Sequence, residues 1–76
     1  MKELDLHGML HHEVEDAVTN FVFLNNKNLP VRIITGNSNR MKNIVLPLLE
    51  KHKYDYEIPP HNNGEVIVRF DKEYKL

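Results

Sequence analysis

The first chemically useful side chains are an aspartate and a histidine, Asp5 and His7, with one apolar residue between them. Leucines alternate with them, and the side chains of a β-strand point alternately to its two faces. We therefore expect Leu4 and Leu6 to be buried while Asp5 and His7 share the opposite face. Gly8 follows at once and permits a sharp turn, because glycine accepts positive φ and carries no side chain that would crowd a ligand.

A carboxylate beside an imidazole at a strand end is suited to general acid–base catalysis. In that role His7 transfers a proton, while Asp5 orients the imidazole or stabilises its charge. A histidine at such a position is also a common structural hydrogen-bonding residue. The pattern alone leaves both interpretations open.

A second candidate cluster follows a stretch of β-branched residues that ends near residue 35. Its loop leads into a helix, whose free N–H groups and positive dipole end suit a phosphate. No acidic residue follows in that helix before Glu50. The predicted phosphate-binding residues are Gly8 from the first loop and Thr35, Gly36, Asn37, Ser38, Arg40 and Lys42 from the second.

Two ordinary roles compete with phosphate binding at this helix. Ser38 or Asn37 can cap it by accepting a backbone hydrogen bond, and Arg40 and Lys42 can form a solvated face. The first helix differs, because it begins with acidic residues that would repel an anion, namely Glu13, Glu15 and Asp16. A bound phosphate is therefore expected only at the second helix.

Hydrophobic periodicity predicts the element order βαβαββ. The helices are expected at about residues 12–27 and 41–53, and the strands at about residues 4–6, 31–35, 54–58 and 65–70. Pro47 lies inside the second helix and should weaken it by removing one backbone hydrogen bond, and residues 71–76 are expected to fray. This order predicts an α/β two-layer sandwich, in which two helices cover one face of a four-stranded mixed sheet.

The predicted core lies between the sheet and the helices. Its expected members are Leu4, Leu6, Val14, Val18, Phe21, Ile33, Ile44, Val45, Leu48, Val66, Val68 and Phe70. If the first two strands are parallel neighbours joined by a right-handed crossover, their carboxyl ends meet at one sheet edge. We then expect His7 and Gly36 at that edge, where ligands of open α/β sheets bind.

The uncovered face of the sheet is predicted to carry charged residues. Period-two alternation places Arg32 with Ile34, and Glu65 with Ile67 and Arg69, on this face. Asp5, Arg32 and Arg69 could therefore come together there, either as an internal salt-bridge network or as a binding surface.

Composition limits the classes of protein to consider. A chain of 76 residues is expected to form a single domain, spanning 1–76, that buries about 60% of its unfolded surface. It contains no cysteine, so neither disulfides nor thiolate metal sites are available, and we expect a cytoplasmic monomer. No apolar stretch suggests a membrane span or a signal peptide. With 10 Lys and Arg against 11 Asp and Glu, attraction to nucleic acid must come from a local patch.

Taken together, several stretches resemble the Smr (small MutS-related) domain family. The resemblance spans about residues 2–70, and the first cluster and the Thr35-Gly36 pair occur in the family's order and spacing. It rests on Leu4-Asp5-Leu6-His7-Gly8, Glu15 and Ala17, Ile33-Ile34-Thr35-Gly36, Met41-Lys42 and Asn63-Gly64-Glu65-Val66.

The resemblance implies a two-layer sandwich similar to the C-terminal domain of bacterial translation initiation factor three, and nucleic-acid nicking or RNA endonuclease activity. It assigns the family's Asp and His to Asp5 and His7, and its second loop to residues 35–38. Ser38 stands where the family usually has a second glycine, which restricts how closely the backbone approaches a phosphate. We expect a free-standing, single-domain member of the family.

The leading hypothesis is an endonuclease, and RNA is favoured over DNA as its substrate class. A second proton-transfer group is needed, and His11, His12 or a lysine could supply it. The sequence assigns no cofactor with certainty, and Mg²⁺ bound by Asp5 is an alternative. A zinc site from His7, His11 and His12 is disfavoured, because Gly8 breaks the helical register between them.

Two further hypotheses involve no catalysis. The same surface could serve a non-catalytic RNA-binding or ribosome-associated module. An interaction-only protein would instead need an exposed apolar patch, for which Ile34 and Ile67 are the candidates.

Overall fold

A computed structural model describes residues 1–72 of the chain. Its elements follow the order βαβαββ. They are β1 (Glu3–Asp5), α1 (His11–Leu24), β2 (Val31–Ile34), α2 (Asn39–Lys51), β3 (Tyr54–Glu57) and β4 (Glu65–Asp71). No helix within the described residues is long and apolar enough to cross a membrane.

The four strands form one mixed sheet in the order β1-β2-β4-β3. β1 runs parallel to β2, with Asp5 opposite Ile34, whereas β4 is antiparallel to both β2 and β3. The helices cover one face, and the opposite face remains open. This arrangement confirms the predicted two-layer α/β sandwich.

The core lies between the helices and the covered face of the sheet. Most of the predicted core residues are buried, which confirms the predicted inward-facing positions of β1, of β2 and of β4 as far as Val68. Leu4, Phe21 and Ile44 are only partly buried but pack against this core. The buried apolar residues of the core are Leu6, Val14, Val18, Val22, Val31, Ile33, Met41, Val45, Leu48, Leu49, Tyr54, Val66 and Val68.

Phe70 is the predicted core residue that the structure places elsewhere, since its ring is 52% exposed. The register shifts between Asp55 and Tyr56, which pair with Phe70 and Val68, so that Arg69 is an extra residue in β4. Such a β-bulge ends the simple alternation of faces. The prediction for Phe70 was wrong because the alternation of β4 was continued through this bulge.

The boundaries of several elements also differ from the prediction. α1 ends three residues early, because the Asn25 side chain donates to the Phe21 carbonyl at 2.8 Å in a capping contact. α2 runs through Pro47 to Lys51, and Lys53 then adopts a φ of 64°. Fraying was expected from Asp71, which instead belongs to β4; residues 73–76 lie outside the described part.

Candidate functional site

His7 lies in a tight turn that follows β1. The Met9 N–H donates to the Leu6 carbonyl at 2.9 Å, and Gly8 at the third position has a φ of 79°. This combination is a glycine-requiring β-turn. Asp5 Oδ1 accepts a hydrogen bond from the His7 N–H at 2.8 Å. The turn therefore presents the His7 side chain to solvent from a backbone fixed on both sides.

The carboxyl ends of β1 and β2 meet at one edge of the sheet, as the parallel pairing requires. The Leu6 N–H donates to the Ile34 carbonyl at 2.9 Å. His7 directly follows Leu6, and Thr35 directly follows Ile34. His7 and Thr35 therefore follow neighbouring positions on adjacent strands. The first and second predicted clusters come together at this edge.

A third loop joins the same edge, and sequence reasoning did not include it in the site. The Gly64 carbonyl accepts hydrogen bonds from the N–H groups of both Thr35 and Gly36, each at 2.9 Å. A Cβ on Gly64 would lie 3.5 Å from the Gly36 Cα, so the two backbones pass closely. Asn62 Oδ1 fixes this loop by accepting from the Gly64 N–H at 2.8 Å. The sequence did contain a signal for this loop. If β4 pairs antiparallel with β2, its first residue lies opposite the last residue of β2, and the loop before β4 reaches the same edge.

These contacts determine which groups of the second loop remain free. The N–H groups of Thr35 and Gly36 are bonded to Gly64, and the buried Thr35 hydroxyl donates to the Gly36 carbonyl at 3.0 Å. Gly36 has a φ of 66°, a left-handed backbone conformation that favours glycine at this position. Thr35 and Gly36 thus shape the loop, and donors for an anion must come from the residues that follow.

The start of α2 offers such donors. Ser38 caps the helix, since its Oγ accepts from the Met41 N–H at 3.0 Å. The N–H groups of Asn39 and Arg40, in the first turn, have no intrahelical carbonyl to bind. The first turn contains no acid, and Arg40 is exposed while Lys42 is half-buried. The capping role of Ser38 leaves these N–H groups and the helix dipole available to an anion.

The start of α1 is different. Its N-cap position is Leu10, which makes no side-chain hydrogen bond, and Glu13 lies in the first turn. His11 is half-buried and His12 is exposed at this helix start. The two helices therefore differ in both their caps and the acidity of their first turns.

The open face carries ion pairs, but Asp5 takes no part in them. The Arg32 guanidinium lies 3.2 Å from Glu3 and 3.2 Å from Glu65, and Arg69 lies 2.7 Å from Glu57. Of the three residues predicted for this face, only the two arginines form these ion pairs, and the Asp5 carboxylate accepts from the His7 backbone N–H.

Apolar exposure also differs from expectation. Ile67 is only 9% exposed, so it provides no apolar patch on the open face, and Ile34 is partly buried. The large exposed apolar side chains include Phe23, 72% exposed, and Leu24 at the end of α1. Neither residue was expected to be exposed on the basis of the sequence.

Two tyrosines have shifted pKa values, and both lie away from the candidate edge. Burial raises the pKa of Tyr54 above its ordinary value of 10.0, and the nearby charge of Asp71 raises it further. Burial also raises the pKa of Tyr56, whose hydroxyl donates to Glu50 Oε1 at 2.9 Å. Their effect is on stability at high pH.

Chemically, the edge combines an exposed histidine with a helix start whose first turn carries no acid. Within residues 1–72, no three His, Asp or Glu side chains cluster closely enough to hold a metal ion. The chain was compared with protein-family models, with curated proteins and with solved structures, and nothing matched in any of the three.

Proposed function

We propose that this protein is an endonuclease that cleaves nucleic acid at the edge formed by the His7 turn and the start of α2, with RNA preferred over DNA. The observation that carries the proposal is the convergence of three loops there, tied by the bonds from Leu6 to Ile34 and from Gly36 to Gly64. The loop that carries His7 therefore leaves the sheet next to the loop that leads into α2, and a helix start of this kind is suited to phosphate. The Smr resemblance supports the same assignment.

In the proposed reaction, a phosphate of the substrate binds the free N–H groups at the start of α2, with Arg40 and Lys42 adding positive charge. Neutral His7 accepts the proton of the attacking ribose 2′-hydroxyl, whose oxygen forms a bond to phosphorus. The bond to the 5′ oxygen breaks, and that oxygen takes a proton from water or from a second acid. RNA is preferred because its own hydroxyl supplies the nucleophile.

Asp5 acts in this scheme as a positioning residue. Its carboxylate accepts from the His7 backbone N–H at 2.8 Å and so fixes the turn that presents the imidazole. The sequence left two roles open for Asp5, orientation of His7 and stabilisation of its charge. Orientation is the role that the hydrogen bond supports.

One observation favours a second function, an RNA-binding or ribosome-associated module without catalysis. The candidate nucleophile-activating pair lacks a carboxylate–imidazole hydrogen bond, since Asp5 bonds to backbone. Binding needs only the donors and cations at the start of α2, and these do not depend on His7.

The test is a side-by-side assay of labelled RNA and supercoiled DNA, each with Mg²⁺ and with a chelator, using wild type and His7→Ala. We expect RNA cleavage in both conditions and its loss in the variant, typically by roughly 10² to 10⁴ in rate. RNA binding without cleavage of either substrate would establish the second function instead. Cleavage that depends on Mg²⁺ alone and persists in His7→Ala would contradict the assignment of His7.

A further inference from the structure

An open groove runs along β4 on the uncovered face of the sheet. Ile67 contributes to its floor, and Arg32, Pro60, His61 and Phe70 are among the residues that line it. Neither the proposed chemistry at the edge nor the packing of the core uses this groove. Its composition combines an aromatic ring, an imidazole, proline and ion-paired arginines.

Phe70 is the most informative residue of the groove. The bulge at Arg69 turns its ring out of the core and leaves it 52% exposed. β-Bulges often occur next to functional sites, where they redirect a side chain. An exposed aromatic ring on a sheet face provides a flat surface on which a base can stack.

The charges of the groove suit bases better than phosphates. Arg32 is paired with Glu3 and Glu65, and Arg69 with Glu57, so a neighbouring carboxylate offsets the charge of each arginine. Their guanidinium planes remain partly exposed and can stack on aromatic rings. The carboxylates can accept hydrogen bonds from the amino groups of bases.

The groove is continuous with the candidate site at the edge. Glu65, which lines it, follows directly on Gly64, whose carbonyl holds the loop of Thr35 and Gly36. From Glu65 to Phe70 the strand extends about 17 Å, at about 3.4 Å per residue. A chain whose phosphate is bound at the start of α2 can therefore continue along β4.

We infer that this groove binds the unpaired bases of single-stranded RNA, with a base stacked on Phe70 while a phosphate farther along the same RNA strand occupies the edge site. The inference rests on the proposed function, because that function places the phosphate. A duplex cannot bind in this way, since its bases are stacked on one another and paired. The substrate class is therefore RNA that is single-stranded on one side of the cleaved bond.

The test measures the affinity of a short single-stranded RNA of mixed sequence, and of the same sequence as a duplex, for His7→Ala protein, which prevents cleavage. In this background Phe70→Ala is expected to weaken single-strand binding by about fivefold or more, as loss of a base–aromatic stack does. The dependence on salt should not change, because no charge is removed. Phe23→Ala is the matched control, since Phe23 is an exposed phenylalanine on the helix layer.

Amide chemical shifts during the same titration provide the second measurement. We expect changes at Arg32, Ile67 and Phe70 as well as around Gly36. Equal affinities of Phe70→Ala and Phe23→Ala, or changes confined to the edge, would overturn the inference and leave the open face to a protein partner. Absence of RNA binding would overturn both proposals, whereas Phe70-dependent binding without cleavage by the wild type would overturn the catalytic one alone.

Discussion

The Asp5 carboxylate accepts a hydrogen bond from the backbone N–H of His7 at 2.8 Å. The acidic residue of the candidate pair therefore holds the histidine through its backbone and leaves the imidazole free. This relationship makes two roles of Asp5 separable by mutation, because an amide oxygen can accept the same hydrogen bond without carrying a charge.

Asp5→Asn is expected to retain most of the RNA-cleaving rate, whereas Asp5→Ala should lose at least about tenfold by releasing the turn. Initial rates at saturating RNA, with circular dichroism to check folding, measure the difference. Equal and complete loss in both variants would show that the negative charge of Asp5 is what matters.

Ser38 stands where the resemblance to the Smr family leads us to expect a glycine. Two substitutions test what its side chain does. Ser38→Ala should lower the free energy of unfolding by about 1 kcal/mol, because Met41 loses its cap, whereas Ser38→Gly should cost only a few tenths. Urea denaturation measures both. If the side chain restricts the approach of phosphate, Ser38→Gly should also bind RNA more tightly than wild type; weaker binding by the glycine variant would contradict this interpretation.

Gly36→Ala should destabilise the fold by roughly 1–2 kcal/mol, the cost of a left-handed conformation for a residue with a Cβ. The φ of Gly36 is 66°, and no atom lies within 4 Å of the added Cβ, so strain and not collision is the cause. Gly8→Ala has the same geometry and should behave alike. An unchanged free energy of unfolding would mean that the loop adopts another conformation.

Arg40 and Lys42 are predicted to contribute through charge at the start of α2. Arg40→Ala and Lys42→Ala should each weaken RNA binding and reduce the slope of log affinity against log salt by about 0.7 for each phosphate that the variant no longer neutralises. Lys51→Ala, at the opposite end of α2, is the control. A reduced slope in the control alone would place the RNA elsewhere.

Alkaline pH should destabilise the protein through Tyr56. Its pKa is raised above 10.0 by burial and by the bond to Glu50, so the folded state holds the proton more tightly than the unfolded state. This contribution is complete below pH 10 and is lost as the pH rises through the folded pKa. Tyr56→Phe should therefore show a shallower fall in unfolding free energy above pH 10, measured by urea denaturation; an identical pH dependence would contradict the shift.

The fold followed closely from the sequence because local signals agreed with one another. β-Branched residues marked β2, helical spacing marked both helices, and the leucines around Asp5 fixed the register of β1. Phe70 could not be placed correctly, since the bulge arises from pairing between β3 and β4. An irregularity of this kind depends on how two strands pair. It cannot be predicted from the alternation of apolar and polar residues within one strand.

The site was only partly predictable for a similar reason. The parallel crossover correctly placed His7 and Gly36 on neighbouring loops. The prediction of the site did not include Gly64, because Gly64 acts through its backbone carbonyl. Residue types do not reveal the backbone contacts of a loop. The internal use of the Thr35 hydroxyl was hidden in the same way.

The central claim is that His7 performs the proton transfer in RNA cleavage at this edge. The most direct measurement compares RNA cleavage by wild type, His7→Ala and His52→Ala, the last removing an exposed histidine after α2. We predict that His7→Ala remains folded and loses roughly 10² or more in rate, while His52→Ala cleaves like wild type. Equal cleavage by all three proteins would contradict the claim.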